Sequence, residues 1–223
     1  MHWPVSPTVA DAREFQKELR SQISIVPYPG DPRYVAGVDA AFSPTRVFAA
    51  ACLYRYPEAA LIEQTCVTQW LRFPYIPGYL SLREGPAIID AVRKLKQRPD
   101  VILVDGQGIA HPRRAGIASY VGVQLSIPSV GCAKTRLVGE YREPVKQKGK
   151  WSVLDHEGES LGAVLRTRQA VKPLFVSPGH LSDLESSVRI VLCCVGRYRI
   201  PEPLRCADML SRRTARLDSG GPV

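Results

Sequence analysis

The stretch VILVDGQGIAHPRR, residues 101–114, decides how the rest of the chain can be interpreted. Its first four residues form a continuous apolar run, which favours a short strand buried on both faces. The run ends at Asp105, and Gly106 and Gly108 then interrupt the strand. Open α/β sheets bind ligands at the carboxyl ends of such strands. The alternative is an Asp that only begins a turn, since Asp-Gly is a common turn pair, and this stretch alone does not decide between the two.

The segments on either side of this strand predict a mixed sheet. Three β-like runs with proline-containing connections precede it, which is typical of consecutive antiparallel strands, at 33–42, 47–55 and 61–70. A helix-strand-helix-strand pattern follows, with helices at 82–96 and 116–125 and strands at 101–104 and 129–132. We therefore expect an α/β fold in which one mixed β-sheet is flanked by helices on both faces.

The ends of the chain complete a single predicted domain over residues 1–212. Thr8 and Asp11 have capping-box spacing at the start of an N-terminal helix. The basic segment 141–158 is expected to be an exposed loop or hairpin. The remaining predicted elements are strands at 160–166 and 174–176, a helix at 182–195 capped by Ser182, a last helix at 203–212 and a disordered tail at 213–223.

Composition limits the function classes. The chain of 223 residues carries a formal net charge of +9, which favours a polyanionic partner such as nucleic acid over the alternative of simple solubility. Its six cysteines have no CxxC pairs, so we expect reduced thiols, no zinc site and a cytoplasmic location. No secretory signal and no apolar run of membrane-spanning length is visible, and no membrane partner is expected.

Three acidic residues stand out at one predicted edge of the sheet. Asp39 lies inside an apolar strand, where an unpaired acid is costly. Glu84 opens the 82–96 helix, where the alternative is a surface acid favoured by the helix dipole. These two side chains and Asp105 can meet, as in an RNase H-like nuclease. Carboxylate oxygens without a Cys or His cluster favour a hard cation, Mg²⁺ or Mn²⁺, which can activate water at a phosphodiester.

Several long motifs resemble those of a known family. They occur in order over residues 34–208: VAGVDAAFS, RFPYIPGYLSLREGPAIIDAV, VILVDGQGIAHPRRAGIASYVGV, VGCAKTRLVG and VLRTRQAVKPLFVSPGH. This pattern resembles endonuclease V, the deoxyinosine 3′-endonuclease. The motifs PYIPG and DGxGxAHPRxxGIA carry the resemblance because they are too long to agree by chance.

The resemblance implies an RNase H-like fold and a DNA repair activity. It implies hydrolysis of the second phosphodiester bond 3′ to deaminated adenine, leaving 3′-hydroxyl and 5′-phosphate ends. The implied cofactor is Mg²⁺, with Mn²⁺ able to substitute, and the implied partner is DNA containing deoxyinosine. Inosine-containing RNA stays open as a second substrate, because no sensor of the 2′-hydroxyl is evident. We expect a monomer.

The family pattern assigns the catalytic residues. It places metal binding on Asp39, Glu84 and Asp105, and its active-site histidine and lysine fall on His111 and Lys134. The lysine would orient the attacking water or stabilise a phosphate oxygen. Without the motif, His111 would be interpreted as a turn histidine with local hydrogen bonds and Lys134 as a solvated residue at a strand end.

The loop 74–77 has the composition of a wedge between bases. Two prolines stiffen a loop that presents an aromatic and an apolar residue, and such side chains separate stacked bases. In the family this segment is the strand-separating wedge, formed by Pro74, Tyr75, Ile76 and Pro77, with Tyr75 in the key place. A loop packed back on the core is the alternative. The displaced base would enter a pocket lined by Gly78, Leu80, Gly106 and Ile117, where backbone groups can reach the base edge.

Some positions depart from the family pattern, and two further functions stay in view. Gln107 stands where the family often has His or Asn, Tyr120 where it often has His, and Asp208 where some relatives have His. Gln107 and Asp208 are expected near the metal. The rival functions are a non-catalytic reader of inosine and another RNase H-like nuclease. The three acids argue against the reader, and PYIPG argues against the other nuclease.

Overall fold

The computed structural model describes residues 8–219, and its centre is one mixed sheet of eight strands. The strands are β1 (Tyr34–Phe42), β2 (Arg46–Arg55), β3 (Ala60–Trp70), β4 (Val101–Val104), β5 (Ser129–Ala133), β6 (Trp151–His156), β7 (Glu159–Leu165) and β8 (Leu174–His180). Their order across the sheet is β3-β2-β1-β4-β5-β8-β7-β6. The three N-terminal strands form an antiparallel unit, as the sequence predicts.

Five helices in the described part of the chain cover the two faces of this sheet. They are α1 (Val9–Gln22), α2 (Leu80–Arg93), α3 (Ile117–Leu125), α4 (Leu184–Cys193) and α5 (Glu202–Asp218). The first three helices share one hydrophobic core with β1, β2 and β4. The last two pack on the opposite face, against β1, β2, β7 and β8. The expected α/β fold with a mixed sheet and helices on both faces is confirmed.

The pairing of β1 with β4 places two strand ends side by side. The two strands are parallel, and Val38 lies opposite Val104. On its other side β4 pairs with β5, again in parallel. The carboxyl ends of all three strands therefore meet at one edge of the sheet, which is where ligands bind in open α/β sheets.

Helix α1 begins as the sequence predicts. The Thr8 hydroxyl accepts a hydrogen bond from the Asp11 amide, and the Asp11 carboxylate accepts one from the Thr8 amide, which completes a capping box. One face of the helix is buried, and besides Ala12 and Leu19 that face contains the polar side chain of Gln16. None of the helices described is both long enough and apolar enough to cross a membrane.

Two boundaries predicted for the C-terminal half are corrected by the structure, and the segment 141–158 takes the hairpin form of its two predicted forms. Helix α4 begins two residues later than predicted and is capped by Asp183, because the hydroxyl of Ser182 donates instead to the carbonyl of Ser129. Part of the segment 141–158 forms β6, which pairs with β7 at the sheet edge. Strand β8 continues past residue 176 through Pro178 to His180, and a register shift in its pairing with β5 accommodates the proline.

The predicted disordered tail is wrong for its first part. Helix α5 continues to Asp218, whose carboxylate pairs with Arg46 of β2 at 2.6 Å and ties the helix end to the sheet. An ion pair between Asp208 and Arg212 at 2.8 Å supports the same helix about two turns before its end. Residues 220–223 lie outside the described residues, as do residues 1–7.

Candidate functional site

Two carboxylates lie together where β1 and β4 reach the sheet edge. Asp39 follows Val38 in β1, and Asp105 follows Val104 directly after β4, so the parallel register puts the two acids opposite each other. The amide of Asp105 donates to the carbonyl of Val38 at 3.3 Å, which extends the ladder to this point. Asp105 is therefore more than the start of a turn, because its side chain interacts electrostatically with Asp39 across the two strands.

A third acid, Asp208, reaches this edge from helix α5. The helix starts against β1, where a Cβ on Gly37 would lie only 2.1 Å from the backbone of Pro203. This close approach requires glycine and lets α5 run along β1 toward its carboxyl end. The Asp208 side chain approaches Asp39 there closely enough to raise the pKa of the Asp39 carboxyl. The family pattern led us to expect Asp208 near the metal, but it did not name Asp208 as a member of the acidic centre, because nothing local shows which strand α5 covers.

Glu84 approaches the same two aspartates from helix α2. The helix begins at Leu80 rather than at residue 82, so Glu84 lies in its second turn and is only 5% exposed. The alternative of a surface acid at a helix N-terminus is therefore wrong. Burial raises the pKa of Glu84 well above its usual value, and the charges of Asp39 and Asp105 raise it further.

The pKa of Asp39 reports the same crowding of like charges. Burial raises it to about 8, with a further contribution from the neighbouring Asp105 carboxylate. The Ala40 amide, which donates to the Asp39 carboxylate at 2.8 Å, opposes the shift without overcoming it. The structure thus brings Asp39, Glu84 and Asp105 into one electrostatically coupled group. We call these three residues and Asp208 the carboxylate cluster.

Lys134 supplies a positive charge to the carboxylate cluster. It follows β5 directly, and its ammonium group forms an ion pair with Asp105. Burial lowers the pKa of Lys134, but the hydrogen bond and charge of Asp105, together with Asp39 and Asp208, outweigh burial and raise it. The side chain is 44% exposed, so the lysine is charged and accessible from the cleft described below.

The donor chemistry of the carboxylate cluster fits a divalent cation. Across residues 8–219, no group of three or more Asp, Glu, His and Cys side chains has the arrangement of a metal site. Mg²⁺ nevertheless is usually bound by one or two protein carboxylates plus water and substrate phosphates rather than by an all-protein cage. Buried carboxylates with raised pKa values, all of them oxygen donors, suit such a partial set. Ligation of a metal by Asp39, Glu84 and Asp105 stays a prediction.

A cleft of about 350 Å³ extends from Asp105 and Lys134 to the loop 74–77. All the residues predicted to form a base pocket line it, namely Gly78, Leu80, Gly106 and Ile117. Tyr75, Ile76 and Pro77 form another part of its wall, whereas Pro74, Asp39 and Glu84 do not line it. The structure thus joins the predicted wedge, pocket and one end of the carboxylate cluster in a single cavity.

The loop 74–77 presents its aromatic residue outward. Tyr75 is 69% exposed, while Ile76 is partly buried against the core shared by α1, α2 and α3. The alternative of a loop packed back onto the protein therefore applies to Ile76 and not to Tyr75. An exposed aromatic ring on a proline-stiffened loop, next to a cavity, has the geometry that a wedge between bases requires.

His111 is held by two hydrogen bonds within the protein. Its Nε2 donates to the carbonyl of Gly78 at 2.9 Å, and its Nδ1 accepts from the amide of Arg113 at 3.2 Å. Burial lowers the pKa of His111 to about 4, so the imidazole is neutral at pH 7. Only the bond from the Arg113 amide is a local contact of the kind that the alternative interpretation predicts; the bond to Gly78 spans 33 positions, and the side chain also lines the cleft.

Two arginines that follow His111 have the charge to contact phosphate, but they point into the protein. Arg113 donates to the Gly78 carbonyl at 2.8 Å, and Arg114, which is buried, pairs with Glu159 at 2.7 Å. Their sequence position beside the glycines does not reveal this, because the partners lie far away in the chain. The basic side chains of segment 141–158 are exposed and stay candidates for phosphate contact: Arg142, Lys146, Lys148 and Lys150.

The other departures from the family pattern have local explanations. Tyr120 packs edge-on against Phe15 with ring centroids 5.5 Å apart, and its ring lies against Gly85 of α2. It therefore joins three helices rather than facing a metal. Gln107 lines the cleft and donates to the Thr135 carbonyl at 3.0 Å. Its Oε1 atom, like the hydroxyl of Ser81 in the same wall, has no hydrogen-bond partner among the described residues.

Comparison with known proteins gives a consistent result over nearly the whole chain. The family model described as Endonuclease V matches residues 17–209. Endonuclease V of Trichormus variabilis is 47% identical over 212 residues, which cover 94% of this chain and 95% of that protein. Endonuclease V of a Roseiflexus species is 44% identical over 209 residues, covering 94% and 93%.

Solved structures agree with the sequence relatives. The crystal structure of Endonuclease V from Streptomyces avermitilis matches with a TM-score of 0.92 at 36% identity, covering 97% of this chain and 96% of that one. Endonuclease V from Ciona intestinalis, in complex with a 24mer DNA containing an inosine followed by a ribo-adenosine, matches with a TM-score of 0.82 at 27% identity, covering 94% and 98%.

Proposed function

This chain belongs to the Endonuclease V family, and we propose on that premise that it is a DNA repair endonuclease acting at deaminated adenine. In the proposed reaction it hydrolyses the second phosphodiester bond 3′ to deoxyinosine and leaves 3′-hydroxyl and 5′-phosphate ends. The proposed substrate is duplex DNA, and the RNA counterpart is a comparison arm of the test below.

One observation carries the proposal, which is the continuity of the cleft. A single cavity is lined by Tyr75, whose ring is exposed, by the glycine-containing pocket residues and by the Asp105–Lys134 pair. A nuclease that cuts beside an extruded base needs these three parts within a few nucleotides of one another. The Ciona intestinalis relative in complex with inosine-containing DNA supports assigning the pocket to that base.

Recognition in this proposal begins with base extrusion. The Tyr75 ring enters the base stack and compensates for the stacking that the extruded base loses. Extrusion of a base costs least at weakened pairs such as those with hypoxanthine. The extruded base enters the pocket formed by Gly78, Leu80, Gly106 and Ile117. Hypoxanthine differs from adenine by a carbonyl and a ring N–H. The unpartnered Oε1 of Gln107 and hydroxyl of Ser81 are polar atoms of the same wall that suit this edge.

Cleavage takes place at the Asp105–Lys134 pair in the wall of the cleft. In this proposal the pair faces the second phosphate 3′ to the extruded base, and Lys134 offers its ammonium group to an oxygen of that phosphate. Asp39 and Glu84 would offer carboxyl oxygens to a cation beside Asp105, and the positive charge of that cation would favour the ionised form that their burial disfavours. A bound Mg²⁺ would supply Lewis-acid activation of water and charge neutralisation at the phosphate. Exposed lysines and arginines of segment 141–158 hold the DNA backbone and make binding salt-dependent.

The test is a cleavage assay on an end-labelled duplex with a single deoxyinosine. We expect a single nick at the second phosphodiester 3′ to the lesion in Mg²⁺, and no nick in EDTA or in a duplex with adenine at that position. Cleavage of an inosine-containing RNA of the same sequence measures whether the protein prefers deoxyribose or ribose in its substrate. Equal cutting of inosine and adenine duplexes would reject the proposed function, and inosine-dependent binding without cutting would favour the non-catalytic reader.

A further inference from the structure

The carbonyl of Gly78 accepts hydrogen bonds from three side chains that come from distant parts of the chain. Gln16 of α1 donates through Nε2 at 2.8 Å, His111 through Nε2 at 2.9 Å, and Arg113 through Nη2 at 2.8 Å. A carbonyl oxygen has two lone pairs, so three donors saturate it. Such a concentration of donors on one backbone atom points to a position that the fold holds tightly.

The three donors are also bonded to one another. Arg113 donates through Nε to the Oε1 of Gln16 at 2.5 Å, and its amide donates to the Nδ1 of His111. The Arg113 guanidinium lies over the ring of Tyr79 at 4.3 Å from the centroid. Because each group fixes the orientation of the next, none of the side chains can turn without breaking more than one bond. We call Gln16, His111 and Arg113 the Gly78 clamp.

The clamped residue lies in the turn that directs the wedge loop. The amide of Tyr79 donates to the carbonyl of Ile76 at 3.0 Å, which closes a four-residue turn over residues 76–79. Pro77 occupies the second position of this turn and Gly78 the third, with φ at +81°. These are the residues and the backbone angle of a type II turn. The turn sets the direction in which the chain leaves Tyr75, so fixing Gly78 fixes the wedge.

Gln16 is the member of the clamp that sequence reasoning missed. It is fully buried, on a helix face that otherwise contains apolar residues such as Ala12 and Leu19. A buried amide on such a face is costly unless every polar atom is bonded. The Nε2 atom of Gln16 also donates to the carbonyl of Ala115 at 3.4 Å, and Ala115 lies just before α3. The amide therefore links α1, the wedge loop and the segment after β4 at one point.

We infer that Gln16 is a positioning residue of the lesion-recognition site, which acts with His111 and Arg113 through the Gly78 carbonyl to hold the Tyr75 wedge in its base-separating orientation. The inference rests on the proposed function for its link to inosine, but its structural part does not. Pre-ordering of the loop lowers the entropy that binding would otherwise cost, so the clamp contributes to discrimination without contacting DNA.

The first experiment measures the turn in the free protein. Gln16→Leu removes the amide donor and acceptor while keeping a side chain of similar volume. We expect hydrogen exchange of the Tyr79 amide to accelerate about tenfold, the size expected for loss of a buried hydrogen bond. Gln69→Leu is the matched control, because it removes a glutamine hydrogen bond of 2.7 Å to Asp90 away from the cleft. Exchange that is unchanged in Gln16→Leu, or equally changed in both, would overturn the inference.

The second experiment connects the clamp to the wedge. Relative binding of inosine and adenine duplexes is measured for Gln16→Leu, Tyr75→Ala and the double variant. We expect Gln16→Leu to reduce discrimination severalfold, and to have no further effect once Tyr75 is removed. Additive losses would show that Gln16 acts elsewhere. If Gln16→Leu does not fold, Arg113→Lys, which keeps the charge but loses the fork geometry, is tested in the same cycle.

The two experiments separate the inference from the proposed function. A wild-type protein without any preference for inosine would reject the function, while the exchange of the Tyr79 amide still decides whether the clamp holds the turn. A wild-type preference that survives in Gln16→Leu, with normal exchange, would reject the inference alone.

Discussion

At the wedge end of the site the Gly78 carbonyl accepts three side-chain hydrogen bonds, whereas at the carboxylate end Asp39, Glu84 and Asp105, of which only Asp105 lines the cleft, crowd three carboxyl groups beside one paired lysine. The wedge end is ordered by contacts within the protein alone. The carboxylate end is electrostatically unbalanced, and binding of a cation would relieve it. The turn that carries Tyr75 is thus pre-organised by the protein itself, whereas under the proposed function the carboxylate end depends on what the substrate and cation bring.

The largest expected effect is at the carboxylate end. Asp105→Asn removes one negative charge and the partner of Lys134, and we expect cleavage of the inosine duplex to fall by about 1,000-fold or more. Binding to DNA should persist and stay salt-sensitive, because phosphate contacts elsewhere supply it. Single-turnover cleavage and a binding titration at several salt concentrations measure the two effects.

Asp31→Asn is the matched control for this variant. Asp31 is exposed and pairs with Arg189 at 3.4 Å, on the part of the chain that packs near α4. The Asp31→Asn variant should cleave the inosine duplex at the wild-type rate. Retained Mg²⁺-dependent nicking by Asp105→Asn would remove that residue from the proposed reaction.

The wedge end should respond differently, through discrimination rather than through chemistry. Tyr75→Ala is expected to weaken the preference for inosine over adenine duplexes by about 1–3 kcal/mol, the range for one stacked base. Trp70→Ala, which removes another exposed aromatic side chain, should leave the preference intact. If wild type and Tyr75→Ala show the same ratio of affinities for the inosine and adenine duplexes, Tyr75 is not the wedge.

A smaller effect is expected at the turn that holds the wedge. Gly78→Ala places a Cβ at a φ of +81° and 3.1 Å from Nη2 of Arg113. The backbone conformation alone costs about 1 kcal/mol of folding stability. We also expect severalfold weaker discrimination, which a competition assay with inosine and adenine duplexes measures.

The glycine of the β6–β7 hairpin provides the control for backbone strain. Gly158 has a φ of +79° with nothing within 4 Å of the Cβ position. Gly158→Ala should lose a similar free energy of unfolding while its discrimination stays at the wild-type level. Discrimination that falls equally in both variants would mean that general destabilisation, and not the turn, causes the loss.

The smallest effect concerns the pH dependence of stability. The pKa of His111 is lowered to about 4 in the folded protein from an ordinary value of 6.5. The folded state therefore binds fewer protons than the unfolded state between these values, and the contribution of His111 is present above pH 6.5 and is lost as pH falls through 4. Thermal unfolding between pH 7 and 4 should show a shallower decline for His111→Gln than for wild type. Parallel curves would contradict this assignment.

Local patterns were sufficient for most of the fold and for part of the site. The apolar run before Asp105 and the β-like run at 33–42 predicted two strands, and their parallel pairing was enough to bring Asp39 and Asp105 together. The boundaries failed where tertiary contacts override local preference. Ser182 is engaged by β5 and leaves the cap of α4 to Asp183, and Asp218 pairs with β2 at the end of a helix that was predicted to stop earlier.

The sequence by itself determined the order of elements, the mixed sheet and the residue types of the cleft, because periodicity and turn chemistry are local. Only the tertiary structure decided that Asp208 joins Asp39, that Arg113 and Arg114 point inward, and that Gln16 reaches Gly78. Gln16 and Gly78 are 62 positions apart, and Gln16 and Arg113 are 97 apart. Contacts over such separations depend on how whole helices pack against the sheet, and no stretch of the chain encodes them alone.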